Sequence, residues 1–421
     1  MFNAKSFAGI FLLIAIAGCV DKSRDLSSSL PSQGQDNVDF DRGALMTNLT
    51  DNIFVPNYKS TAEEAVSFAS NEGELSTYCD AIGGDNESVK LEDAKLAWLD
   101  LMERVQKTEM HVVGPAERNG SALQSRINSY PLGSLATCAL DQAVVLSNND
   151  ENFSVSSRAL NQRGMGAIEY LLFDDDLNHS CSSQALAADD WSNLSDSERK
   201  TQRCNYAVKL ANDVADASQE IYDQWTLGDL PYRTEFLSES SRGDNFQLIT
   251  DALFYLETFT KSQKLAIPLG INPKCSAMTC PDLVESPYSQ SSLRNIKTNT
   301  QEFLRIFNGG DGIGFDDLIE DAGHIDTLNG PGVATLFKTQ SKDVIDFIDT
   351  INVSLTNQIA SIQSIDDETT CTNSEANPDD DSALDACSLA GLLKKITDDL
   401  KIQFVAIVSV PVPGRVQSDN D

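Results

Sequence analysis

Apolar residues in this chain recur at steps of three and four, and that spacing restricts the fold more than any other feature. Leu91, Ala94, Trp98, Leu101, Met102 and Val105 step this way, with Glu92, Asp93, Asp100 and Glu103 on other faces, as on one side of an α-helix. Ala207, Leu210, Val214, Ala217 and Ile221 repeat the pattern and end near Trp225. Phe246, Ile249, Leu253, Leu256 and Phe259 form a third stripe, which Pro268 stops. Leu293, Ile296, Phe303 and Phe307 close on Gly309-Gly310. Val344, Ile348, Ile351, Leu355 and Ile362 read as one long helix, and Leu389, Leu393, Ile396 and Leu400 as the last. Only Phe404 to Val410 reads as a strand. The expected fold is all-α, two helical bundles packed together, over residues 46–235 and 236–421. The Pro- and Ser-containing stretch from Leu227 to Gly243 parts them.

The N-terminus carries an address. Lys5 precedes the short apolar run Ile10 to Ala17, too brief to span a bilayer. It ends in Ile16-Ala17-Gly18-Cys19, which resembles the bacterial lipobox. That resemblance implies a lipoprotein signal peptide over residues 1–18 and lipidation of Cys19, so that the lipid alone contacts the membrane. Val20 rather than Asp after the cysteine implies outer-membrane sorting. Residues 19–45, rich in Ser, Asp, Gln and Gly without periodicity, read as a flexible tether.

Setting Cys19 apart leaves eight cysteines, an even number that reads as disulfides in an exported chain. Sequence proximity pairs Cys181 with Cys204, Cys275 with Cys280 and Cys371 with Cys387, leaving Cys79 with Cys138; other pairings stay open. No CxxC spacing exists and only three histidines are present, which disfavours a zinc cluster.

A net charge of −33 argues against nucleic acid as a partner and makes small cations the electrostatically favoured ones. Most of the 64 acids need no explanation beyond solubility.

One acid stands out. In Arg163-Gly164-Met165-Gly166-Ala167-Ile168-Glu169-Tyr170-Leu171-Leu172-Phe173, Glu169 has only apolar residues, aromatic residues or Gly within four positions on either side. A carboxylate there is half-exposed at a helix crossing or buried, and burial is costly without a partner. Gly164 and Gly166 each cost a helix about 1 kcal/mol against Ala, so together they point to close approach of another backbone or a ligand. The plainer alternative is an acid that caps or bridges neighbouring helices.

The sequence holds no HExxH, GxSxG or P-loop pattern. His111, His179 and His324 are far apart, and their acidic neighbours at i−4 and i−3 (Asp175 and Asp176; Glu320 and Asp321) read as solvated charge. The segment Glu285 to Ser292 is a polar helix entry whose hydroxyls fit an N-cap before the Leu293 stripe, or could hold an anion or a small polar ligand.

Several of these blocks, in order, resemble the imelysin-like proteins, exported all-helical bacterial proteins often encoded with iron-uptake functions. Trp98 leads through Glu109 to Gly114-Pro115, and Arg126-Ile127-Asn128-Ser129-Tyr130-Pro131 is similar to the family's Ile-Asn-x-Trp-Pro block. Gly164 to Leu172 falls where the family carries GxHxxE followed by Tyr-Leu-Leu. Glu285-Ser286-Pro287-Tyr288-Ser289 and Phe307-Asn308-Gly309-Gly310 resemble its later Glu-Ser and Phe-x-Gly-Gly blocks. The resemblance implies an interhelical pocket with Glu169, Gly164 and Gly166, and with Glu109, Glu285, Ser286 and Ser289 as neighbours. It also implies a cation, iron or another divalent ion, with Glu169 as a metal ligand. The family's metallopeptidase label depends on the motif His, and Gly166 occupies that position here. A binding protein of the cell envelope is therefore expected ahead of a peptidase. A structural or partner-binding envelope protein with a decayed site is the alternative.

Overall fold

The computed structural model describes residues 40–182, 191–328, 330–378, 384–413 and 416. The signal peptide, Cys19 and nearly all of the tether lie outside them. Phe40–Asp421 forms one compact unit. Among the described residues the secondary structure is helical, apart from an isolated bridge between Thr327 and Gly330. None of the helices is long and apolar enough to cross a membrane.

The first helix, α1 (Arg42–Leu49), starts inside the stretch read as tether, because Asp41 caps it and Leu45 seats in the core. A π-helical stretch, Thr50–Phe54, joins it to α2 (Val55–Ala69). There follow α3 (Glu74–Ala81), α4 (Glu87–Glu109), α5 (Arg118–Ile127), α6 (Thr137–Asn149), α7 (Gly164–Phe173) and α8 (Asp196–Thr226). Helix α8 is the post of this group. Ala207, Leu210, Val214, Ala217, Ile221 and Trp225 are all buried along it, and α2, α5, α6 and α7 pack around it. A capping box between Ser195 and Glu198 starts α8.

Short α9 (Tyr232–Phe236) and α10 (Arg242–Leu253) lead to a second π-helical stretch, Leu256–Ala266. The second group is α11 (Ser292–Phe307), α12 (Phe315–Asp321), α13 (Val333–Thr350), α14 (Leu355–Ser361), α15 (Ile365–Ala376) and α16 (Asp385–Asp399). Helix α16 lies against α13, α15 and the Leu256–Ala266 stretch, and α11 packs on both α13 and α4. The contact of α4 with α11 brings the two groups of helices together.

Three sequence expectations need correction. The Phe404 to Val410 run is helical as far as Val408: a π stretch, Leu400–Phe404, continues into α17 (Val405–Val408), with Phe404 and Val408 buried. Its alternation of Val, Ala and Ile fits a helix that buries every fourth residue. The long stripe from Val344 to Ile362 breaks after Thr350, where Ser354 caps α14 through its hydroxyl. The cysteines also pair differently in part. Cys275–Cys280 and Cys371–Cys387 form as expected, but Cys79 bonds Cys204 and Cys138 bonds Cys181. The packing of α3 on α8 places Cys79 beside Cys204, a neighbourhood that loop length alone does not reveal.

Candidate functional site

Helix α7 is fixed at its start by an ion pair and by a glycine. Arg163, just before it, reaches Asp213 of α8 with Nη2 to Oδ2 at 2.6 Å, and Arg126 of α5 shares that carboxylate at 2.8 Å. Gly164 has φ +73, and a Cβ on it would stand 2.7 Å from the carbonyl oxygen of Ile127. The close backbone approach expected of this glycine is thus to α5. Gly164→Ala is expected to cost about 2 kcal/mol or more, from the clash and the left-handed φ together; urea unfolding reads it as a lower midpoint. Gly166 differs: a Cβ there meets nothing within 4 Å. Gly166→Ala is therefore expected to be neutral or stabilising by about 0.5–1 kcal/mol in the same measurement.

The open space beside Gly166 belongs to a cavity of about 550 Å³. Met102 of α4, the segment from Asn128 to Thr137, Gly166 and Glu169 of α7, and the loop from Pro281 to Tyr288 enclose it. Its walls therefore come from both groups of helices.

Glu169 is 2 % exposed and lines this cavity. Its Oε1 accepts hydrogen bonds from the Tyr288 amide (3.1 Å), the Ser289 amide (2.7 Å) and the Ser289 hydroxyl (2.8 Å). Among the described residues, Oε2 accepts none. Burial pushes the carboxyl up to about 7, against the pull of the Ser289 donors and helped by the charge of Glu285. An acid with this environment changes its charge near neutrality.

Glu109 and Glu285 do something else. Both are buried around Lys264, whose Nζ lies 2.8 Å from Glu109 Oε2 and 3.1 Å from Glu285 Oε2. Tyr255 donates to Glu109 Oε2 at 2.6 Å, and Asn128 donates to Glu109 at 2.8 Å and to Glu285 at 3.2 Å. Asn295 donates to Glu285 at 3.1 Å, and Lys264 also donates to Asn299 and Gln106. Burial alone would lower the Lys264 ammonium, but the two carboxylates outweigh it and raise its pKa. Burial, with Glu109, raises Glu285 despite Lys264. Glu109 is tied into this net, and Glu285 belongs to it while also touching the cavity wall.

The loop from Glu285 to Ser289 therefore holds two acids at once, one by its own side chain and one by its amides. Ser286 sits at φ 53, a backbone strain that the Asn295 bond to its hydroxyl helps to hold. The expected N-cap role does not appear: α11 begins at Ser292, Ser291 makes no side-chain cap bond, and Ser289 serves Glu169 instead. The acid on α7 draws these donors away from the helix start.

Sequence reasoning missed Lys264, Asn128 and Tyr130. Lys264 and Lys261 are both buried in the Leu256–Ala266 stretch, where π-helical geometry shifts the register of the stripe. A stripe counted at three and four could not place them. Asn128 and Tyr130 lay inside a block already singled out, but nothing local marked them as cavity wall. His111 is a core residue: Asn57 bonds its Nε2 at 2.9 Å, Phe54 stacks on it, and burial lowers it to about 3. His179 is half-buried rather than solvated, edge-on to Trp191.

The family model Peptidase_M75, described as Imelysin, matches residues 55–395. The chain belongs to the imelysin family. It is 27 % identical over 293 residues to Iron-regulated protein A of Synechococcus elongatus, a match that covers 65 % of this chain and 68 % of the relative. Two solved structures share the fold at 16 % identity. The imelysin-like protein of Psychrobacter arcticum gives a TM-score of 0.60 over 88 % of this chain and 96 % of its own. A putative iron-regulated protein A precursor of Parabacteroides distasonis gives 0.55 over 85 % and 95 %. In this imelysin the motif position that the resemblance assigns to His is Gly166, on the open wall of the cavity.

Among the described residues no group of three His, Cys, Asp or Glu stands close enough to share an ion. A catalytic zinc site needs about three protein ligands, and the cavity offers Glu169 with hydroxyls and amides instead. The residues present do not fit a resident catalytic metal.

Proposed function

We propose that this imelysin is a cell-envelope binding protein of an iron-related system that takes a cation in the cavity beside Glu169. The observation that carries this reading is the carboxylate itself: buried and, among the described residues, hydrogen-bonded through one oxygen and lining a cavity without Lys, Arg or His in its wall. The iron context comes from the names of the relatives, iron-regulated protein A among them. Retention by a lipid on Cys19, at the outer membrane, completes the proposal and rests on the lipobox resemblance. Mass spectrometry of the mature N-terminus, with Cys19→Ala as control, tests that part.

Calorimetric titration of the wild type and Glu169→Gln with cations, ferrous iron and organic ammonium ions included, tests the binding. At least one cation is expected to bind, and the variant to bind it roughly tenfold or more weakly, the loss of one good contact. Heats that no cation produces, or equal affinity in both proteins, would contradict it. A second reading, an envelope scaffold whose site has decayed and whose partner is another envelope protein, draws on Gly166 in place of His and predicts that equality.

A further inference from the structure

Building on the cation-binding reading, we infer that the cavity at Glu169 is shaped for a small organic ammonium ion rather than for a metal ion. Four observations converge. First, the wall carries acids and hydroxyls: buried Glu169 and exposed Asp282 line it, together with Ser129, Ser134 and Thr137. These groups accept hydrogen bonds, which suits a ligand rich in N–H donors.

Second, the anionic ligands that would strip water from a metal are spent elsewhere. Glu285 and Glu109 are saturated by Lys264, Asn128, Gln106, Asn295 and Tyr255. Among the described residues, Glu169 is left with one oxygen that accepts no hydrogen bond. One ammonium group needs one such partner, whereas a hard divalent cation takes several oxygens.

Third, the volume leaves room beyond an ion and its first shell of water. Six waters around a metal occupy on the order of 200 Å³, at about 30 Å³ each, against the cavity's 550 Å³. The excess lies partly against Gly166, where the wall is bare backbone. A ligand with a short carbon chain or ring behind its ammonium group fills that space.

Fourth, two aromatic residues, Tyr130 and Tyr288, line the cavity. The Tyr130 hydroxyl is held by the carbonyls of Leu283 (2.7 Å) and Gln263 (3.0 Å), and the Tyr288 ring meets Tyr170 edge-on. Both rings are thereby fixed, and a tyrosine ring attracts an organic cation where a hydrated metal ion gains little from it. A bound ammonium also supplies the counter-charge that lets Glu169 ionise in its buried setting.

The test is calorimetric titration of the full chain at about pH 8, above the point where Glu169 ionises. The probes are putrescine, agmatine and histamine, with butanediol as the uncharged control and ferrous and calcium ions as the metal arm. The expected result is binding of at least one amine, silence from butanediol, and roughly tenfold or greater weakening in both Glu169→Gln and Gly166→Leu. Circular dichroism of both variants checks that they fold. Amines that bind the wild type and Glu169→Gln alike would mark mere attraction to an acidic surface and overturn the inference. Metal binding that depends on Glu169, with no amine binding, would overturn it and leave the cation reading standing. Silence from every probe would remove both.

Discussion

Replacing Lys264 with methionine is expected to lower the stability of the fold by about 3–5 kcal/mol, the largest loss foreseen for any single side chain here. The ammonium is 1 % exposed, and it stands between two carboxylates that are 1 % and 2 % exposed. Methionine fills much of the same volume but carries no charge, so Glu109 and Glu285 would face each other in a medium that solvates neither. The loss should be smallest in acid. A carboxyl whose folded pKa lies above its unfolded value binds more protons when folded, so stability falls as pH rises between the two. Urea unfolding at about pH 5 and about pH 8 should show a larger deficit at the higher value. Adding Glu285→Gln should recover part of it, since one buried charge then disappears. A Lys264→Met protein as stable as wild type at both values would mean that the three groups are not the closed net described.

Glu169→Gln is expected to act in the opposite direction. The Glu169 carboxyl titrates at about 7 in the folded chain against an ordinary 4.5. The folded state therefore holds the extra proton between those values, and wild-type stability should decline as pH rises through that window. The decline is at most about 3 kcal/mol, reduced by whatever water the cavity admits. Glutamine keeps an oxygen to accept the Tyr288 and Ser289 donors and has no charge to lose, so its contribution stays flat. The variant should match the wild type at about pH 4 and exceed it by about pH 8, while its cation binding falls. A side chain that both weakens binding and strengthens the fold when neutralised is the mark of a group kept for function at a cost to stability. Two parallel stability curves would show that Glu169 does not titrate in this window.

The helical body was legible because apolar periodicity is a local property. The stripes through Val214 and Leu393 bury their residues as spaced, and those through Trp98 and Phe303 do so after a half-buried first residue, Leu91 and Leu293. Glu169 was legible for the same reason, as an acid among apolar neighbours, and Gly164 as a backbone that must let another pass. Partnership was not legible. Lys264, on a π-helical stretch, joins Glu109 across more than a hundred residues of sequence and Glu285 in the loop beyond that stretch, and neither relation leaves a short-range trace. The Cys79–Cys204 bond failed on the same ground, because it depends on which helices pack and not on how far apart the cysteines lie. Of the two uses open to the Ser-rich entry to α11, the N-cap does not form, because the Ser289 hydroxyl is taken by a carboxylate 120 residues away. Gly166 alone would have read as a loss, and only the empty space against it shows that the cavity stays open there.

The central claim is that one buried carboxylate faces the cavity with an oxygen to spare and ionises near neutrality. Carbon-13 NMR of the glutamate side-chain carboxyls, with Glu169→Gln assigning the resonance, measures this directly. The account predicts a midpoint at about 7 in the free protein, moving down when an ammonium ligand binds. A Glu169 resonance that titrates at the ordinary glutamate value of 4.5, unmoved by any cation, would contradict it.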